Sequence, residues 1–169
     1  MRYVALLRAV NVGGRVLPMA GLRSALTDAG LEDVVTYIQS GNVVCSSKLS
    51  AAKLRAHVEA TIGVTVIVRT PAQLASIVDR NPFPAAEPNR LHVVYLDHAP
   101  PAKAESEIDP ARSPADRFQL DGSELYVHYG EGAGRSKLTL AYLEKRLGAL
   151  GTARNWNTLL RMLELARGR

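Results

Sequence analysis

Apolar residues fall into short runs of two kinds, one with the period of a strand and one with the period of a helix, and the two kinds interleave along the chain. Runs rich in β-branched and aromatic residues predict strands at Tyr3–Val10, Val34–Ile38, Asn42–Ser46, Val64–Arg69, Leu91–Asp97, Arg117–Leu120 and Glu124–Tyr129, with a short last one at Thr152–Arg154. Pro18 opens a helix carrying Leu22 and Leu26, and Gly30 closes it. Ser50 caps a helix carrying Leu54, Val58 and Ile62, Leu49 and Leu54 stand at staple spacing across that cap, and Gly63 ends the helix. Thr70-Pro71-Ala72-Gln73 is a capping box ahead of Leu74, Ile77 and Val78, and Asn155 caps a last helix with the stripe Trp156, Leu159, Leu160 and Leu163. Ser40-Gly41-Asn42 and Asp121-Gly122-Ser123 are turn signals that join neighbouring strands into hairpins.

Written in order, the first half reads strand, helix, hairpin, helix, strand, helix, and the second half repeats that order from Leu91, with a weakly patterned helix at Ala102–Ile108. Gly63, a strand and then Arg69-Thr70 before a helix correspond to Gly148, Thr152–Arg154 and Asn155 before a helix, which makes Arg69 and Arg154 candidates for equivalent positions. The fold class expected is α+β: two ferredoxin-like βαββαβ units in tandem, packed together, each followed by a helix. They would occupy residues 1–80 and 91–169, joined by a stiff, extended Pro-rich linker at 81–90. The groove between the units is the expected place for a site.

Composition narrows the class of protein. A chain of 169 residues with 47% hydrophobic and 22% charged residues can bury a core without staples. Its formal net charge of +5 favours anionic partners. Cys45 is the single cysteine, so an internal disulfide is excluded, and its strand-like surroundings suit a small buried group better than a reactive thiol. No apolar run approaches a bilayer span, and Met1-Arg2-Tyr3-Val4 leads straight into a strand, so a cytoplasmic location without membrane association is expected.

Two loops carry the candidate chemistry. In the first, a strand runs into Arg8-Ala9-Val10-Asn11-Val12-Gly13-Gly14-Arg15, and a helix follows. In the second, a strand runs into Gly130-Glu131-Gly132-Ala133-Gly134-Arg135-Ser136-Lys137 before another apolar-periodic stretch. Glycines let backbone N–H groups approach a ligand, a helix N-terminus carries partial positive charge, and Arg and Lys add full charges. The second loop is not a Walker A loop: its spacing is one residue short, and Lys137 follows Ser136 rather than preceding it. With Ser136 read as a helix cap, Arg135 and Lys137 would oppose the helix dipole unless an anion lay beside them. Gln39, Ser40, Gly41 and Asn42 at the first hairpin, and Arg154 and Asn155 at the last strand, could add hydrogen bonds and charge.

Leu6-Leu7-Arg8-Ala9-Val10-Asn11-Val12-Gly13-Gly14, Pro18-Met19, Thr36 to Val43, Ser136-Lys137 and Thr152 to Thr158 together resemble the bacterial DUF1697 family along the length of the chain. Ala9 stands where that family commonly has glycine, so a slightly altered entry to the first turn is expected. The resemblance implies a two-part α+β fold in a bacterial cytosol and no particular activity.

His57, His92, His98 and His128 lack metal-ligand spacing, no nucleophile elbow occurs, and no cofactor motif is evident. The aromatic strand signature of RNA-recognition modules is missing as well. The function expected is a binding module for an anionic, phosphate-bearing ligand, either nucleic acid or nucleotide-like. One wall would be Arg8, Asn11, Gly13, Gly14 and Arg15, with Gln39, Ser40, Gly41 and Asn42 beside it. The other would be Gly134, Arg135, Ser136, Lys137, Arg154 and Asn155. The alternatives are a phosphoryl- or acyl-transfer enzyme using the same loops, and a structural or oligomerisation protein.

Overall fold

The first apolar run, Tyr3 to Leu7, offers no polar position to turn toward solvent, and it forms the middle of a sheet. The computed structural model of the chain describes residues 1–8, 18–38 and 41–168. In it β1 (Arg2–Leu7) lies antiparallel between β3 (Asn42–Ser46) and β4 (Val66–Arg69), and β2 (Glu32–Tyr37) pairs with β3 at the edge. A second sheet repeats this layout: β5 (Leu91–Leu96) lies between β7 (Glu124–His128) and β8 (Gly151–Asn155), with β6 (Arg117–Asp121) at the edge. The strand orders, β2-β3-β1-β4 and β6-β7-β5-β8, are the same.

Local chemistry sets the helices. α1 (Met19–Asp28) starts directly after Pro18, whose ring fixes φ near its observed −61°. α2 (Ala51–Ile62) starts where Ser50 accepts the Lys53 N–H, and α4 (Leu140–Leu147) where Thr139 accepts the Tyr142 N–H. Both end on a left-handed glycine, Gly63 at φ 71° and Gly148 at φ 67°. α3 (Pro71–Asp79) has its capping box formed in both directions, Gln73 N–H to Thr70 Oγ1 and Thr70 N–H to Gln73 Oε1. α5 (Trp156–Ala166) is capped by Asn155, whose Oδ1 accepts the Thr158 N–H at 2.9 Å.

Two expectations change. The helix expected near Ala102–Ile108 is a 3₁₀ stretch, Ala102–Glu107, with no buried residue, so it has no apolar stripe to hold an α-helix against the sheet. The Pro-rich stretch is turned rather than extended. Ala86 N–H donates to Phe83 O, and Arg90 and Leu91 N–H both donate to Glu87 O, while Asn81 Oδ1 accepts the Phe83 N–H.

The described chain divides into two units, Met1–Ser76 with Leu160–Arg169, and Ile77–Leu159. In the first, Tyr3, Ala5 and Leu7 of β1 pack with Val43, Cys45 and Val66 against Leu22 and Leu26 of α1 and Leu54 and Val58 of α2. The other face of β1 meets the end of α5, where Arg2 donates to Leu165 O at 2.9 Å. In the second, Val94, Leu96, Leu125 and Val127 pack against Leu143 and Leu147 of α4. On the opposite face of that sheet, the Tyr126 hydroxyl donates to Ile77 O of α3 at 2.7 Å.

Cys45 is fully buried opposite Tyr3, and burial raises its thiol from 9.0 to about 11, against smaller lowering effects of Arg2 and the N-terminus. A raised thiol pKa supports the fold below the unfolded value and loses that support as pH climbs toward 11. Labelling of Cys45 by a thiol reagent at pH 8 is therefore expected to follow chain opening, slowing as urea is withdrawn, and stability should fall between pH 9 and 11. Rapid labelling in the absence of denaturant would contradict the burial.

Candidate functional site

Arg8 follows the last residue of β1. Its N–H donates to Thr65 O at 2.9 Å, and the preceding Leu7 N–H donates to Gly41 O at 2.9 Å. The hairpin after β2 therefore lies beside the start of the first loop. Its turn uses two left-handed residues, Gly41 at φ 87° and Ile38 at φ 49°, and a β-branched side chain is strained there. Asn42 is buried, and its Nδ2 donates to Tyr37 O at 2.9 Å, tying the two strands together at the turn. Asn11, Gly13, Gly14, Arg15, Gln39 and Ser40 lie outside the described residues.

The second loop belongs to the second unit and is organised by a residue the sequence did not single out. Asp116 is buried, with only 8% of its surface exposed. Its Oδ1 accepts the Gly130 N–H at 3.1 Å, and its Oδ2 accepts the Ser136 hydroxyl at 2.5 Å. The turn before β6 makes further bonds to this loop. Lys137 N–H donates to Ser113 Oγ at 3.3 Å, and Arg112 Nε donates to Lys137 O at 2.8 Å. Arg90 adds a bond to Gly130 O. Gly130 has to be glycine, because a Cβ there would lie 2.2 Å from Ala115 O.

This geometry corrects the reading of Ser136. It does not cap a helix: Ala133–Arg135 form a 3₁₀ turn, Ser136 is extended, and α4 begins only at Leu140, capped by Thr139. Ser136 Oγ instead accepts the Leu138 N–H at 2.9 Å. The supposed clash of Arg135 and Lys137 with a helix dipole at Ser136 therefore falls away. Most of the loop amides are also committed, those of Glu131, Ala133 and Gly134 being the exceptions. Gly132 donates to Tyr129 O, Arg135 to Gly132 O and Ser136 to Ala133 O, in addition to the bonds of Gly130, Lys137 and Leu138. The anion closest to this glycine loop is the protein's own carboxylate. Three charged side chains of the loop face solvent, Glu131, Arg135 and Lys137, and neither cation has an acidic partner among the described residues.

Arg154 and Asn155 end β8, and Asn155 is half-buried with its side chain committed to the Thr158 amide. Arg154 is buried opposite Val93, and its Nη1 donates to Thr152 Oγ1 at 2.5 Å and to Ala153 O at 2.9 Å. Arg69 repeats the arrangement opposite Val4, its Nη1 donating to Val68 O at 3.1 Å, as equivalence of the two positions requires. Burial lowers the Arg154 guanidinium to about 10, partly offset by Tyr95, so it remains charged at neutral pH.

Near the loop a cleft of about 500 Å³ is lined by Pro82 to Glu87, Arg90, His128 and Gly130, with the Phe83 and His128 rings 6.1 Å apart. A smaller cavity of about 210 Å³ lies at the opposite end of β3 from Gly41, beside Gly30, Ser47 and His57. His92 keeps a buried Nδ1 without a hydrogen-bond partner and lies edge-on to Tyr129, and burial lowers its pKa. Among the described residues no group of three His, Cys, Asp or Glu side chains is placed to hold a metal ion, and no helix is long and apolar enough to cross a membrane.

Two four-stranded antiparallel sheets with helices define a duplicated α+β protein. Residues 1–126 match the family described as protein of unknown function DUF1697, and the chain belongs to that family. The fold is similar to that of the conserved bacterial protein SP0830 from Streptococcus pneumoniae, with a TM-score of 0.77 and 21% identity over 98% of each chain. No curated protein matches the sequence.

Replacing Asp116 by Ala leaves the Gly130 amide and the Ser136 hydroxyl without their acceptor, and is expected to destabilise the fold by about 2 kcal/mol. Urea unfolding measures that loss, and faster hydrogen exchange at the Gly130 amide locates it. Unaltered exchange at Gly130 would remove Asp116 as the organiser of the loop.

Proposed function

We propose that the protein is a binding module for an anionic, phosphate-bearing ligand, nucleic acid or nucleotide-like, held by cationic side chains rather than by a cradle of backbone amides. The observation that carries this reading is the state of Arg135 and Lys137. Both are exposed, without acidic partners among the described residues, on a loop whose shape is already fixed by Asp116. A fixed loop gives its cations a defined place without ordering the backbone on binding. Arg8 is the corresponding basic group at the end of β1. The net charge of +5 supports the same preference.

Each unit is read as ferredoxin-like, on the strength of its strand order and the helix that follows its central strand pair. A bacterial, cytoplasmic protein remains the setting this reading assumes. The transferase alternative gains no observation of its own. Ser136, the hydroxyl next to Arg135 and Lys137, donates to Asp116 and accepts from Leu138, so both of its roles are structural.

A thermal-shift screen over mononucleotides, oligonucleotides and inorganic anions tests the proposal. A ligand at about a hundredfold excess over its Kd should raise Tm by roughly 5 °C or more. Lys137→Ala should reduce the shift, with the ligand-free Tm little changed because this side chain is exposed. Melting that is insensitive to every anion in the set would remove the reading.

A further inference from the structure

Beside Lys137 the structure assembles cations that no sequence motif announces. Arg112, whose Nε is bound to Lys137 O, also lays its guanidinium carbon 4.0 Å from the centre of the Tyr142 ring. Arg146, one helical turn after Tyr142 in α4, brings its guanidinium carbon to 5.1 Å from the same centre. The ring itself is fixed, because its hydroxyl accepts the Asp109 N–H at 3.0 Å. One half-buried tyrosine therefore holds two exposed guanidiniums no more than about 9 Å apart, about one screening length at physiological salt.

Acidic groups do not neutralise this cluster. Among the described residues Arg112, Arg135, Lys137 and Arg146 have no ion-pair partner. Two carboxylates in the surrounding turns have other tasks, Asp116 accepting from Gly130 and Ser136 and Asp109 Oδ1 accepting the Ala111 N–H at 2.9 Å, and the exposed Glu131 forms no ion pair with the cluster. Positive charge is thus held in place by an aromatic ring and a backbone carbonyl, neither of which cancels it.

We propose that this face, Arg112, Arg135, Lys137 and Arg146 around Tyr142, binds a nucleic-acid strand through its phosphates without reading its bases. The proposal rests on the phosphate-binding reading above and names the partner class for it. A group of cations, two of them fixed on one ring, gains most from a ligand that is itself a row of anions, since each phosphate neutralised releases counterions. Guanidinium matches phosphate with paired N–H donors, and its fixed placement lowers the ordering cost of binding. The arginines occupy the Tyr142 ring, so it is not free to stack on a base, and phosphate contacts alone carry no sequence information.

Fluorescence anisotropy of the full chain with a labelled single-stranded 20-mer tests this. Binding is expected to weaken with salt at a log–log slope of roughly −2 to −3, about −0.7 for each phosphate neutralised. Arg112→Gln and Arg146→Gln should each flatten the slope by about 0.7 and weaken poly-dT, poly-dA and mixed sequences alike. Arg112→Lys keeps the charge and should retain the slope, which separates loss of charge from misfolding. Slopes unchanged in both Gln variants, or a preference above tenfold for one base composition, would overturn the proposal. A mononucleotide binding as tightly as the 20-mer would also overturn it while leaving the phosphate-binding function standing. Capture by phosphatidylserine vesicles without any 20-mer binding would reassign the face to a membrane surface, and insensitivity to every anion would remove both readings.

Discussion

β1 and β5 are buried along nearly their whole length on both faces, and a strand in that position has to be covered twice. An antiparallel sheet with one helical layer commonly leaves its other face in water. Here the first covers are α1 and α2 in one unit and α4 in the other. The second covers come from the helices that trail each half: the end of α5 groups with the first unit, where Arg2 binds it, and the end of α3 groups with the second, where Tyr126 binds it. Register places Arg69 opposite Val4 and Arg154 opposite Val93, on those same second faces. A guanidinium in such a place must find acceptors in the protein, and both arginines bind the carbonyl of the residue before them in their own strand.

The second loop meets a different demand, that of a glycine-rich segment with no regular partner for its amides. Asp116 supplies an internal acceptor for Gly130 and Ser136, Ser113 supplies one for Lys137, and short turns take the amides of Gly132, Arg135 and Ser136. These bonds determine which chemistry is left over. An incoming anion competes with a carboxylate and two serines for the amides of Gly130, Lys137 and Leu138, whereas Arg135 and Lys137 extend from the loop without an ion-pair partner. The loop therefore resembles a phosphate loop in composition, with most of its amides taken by the protein itself and its full positive charges on side chains.

Features set by residues within four positions of one another were legible in the sequence. The Thr70–Gln73 capping box, the Ser50 and Asn155 caps, the terminal glycines Gly63 and Gly148 and the hairpin turns all formed where local chemistry predicts them. The repeated strand order followed from their sequence order. Ser136 misled because a serine ahead of an apolar stretch satisfies the same signature as Thr139, three residues later. Thr139 caps the helix because Leu138 is buried and its amide takes the Ser136 oxygen. The prolines after Arg80 suggested extension, yet Asn81 and Glu87 supply the acceptors that close turns among them. Asp116 and the Arg112–Tyr142–Arg146 stack carry no local sign at all. Each depends on segments some 14 to 34 residues apart being brought side by side.

Like charges gathered on one ring would be an unstable choice if their repulsion were large. In water two unit charges repel by about 0.5 kcal/mol at about 9 Å, the widest separation these contacts allow, and by about 0.8 kcal/mol at about 5 Å, before salt screening reduces it further. A cation over an exposed aromatic face contributes about 0.5–1 kcal/mol in the other direction. The two effects roughly offset each other, so the free protein can hold Arg112 and Arg146 together without a carboxylate between them. An acidic side chain at that point would add little to stability, since exposed ion pairs contribute about 0–1 kcal/mol, and it would cancel the field the cluster projects. Tyrosine is thus suited to the centre of this face: it orders the guanidiniums and leaves their charge available to an anion arriving from solvent.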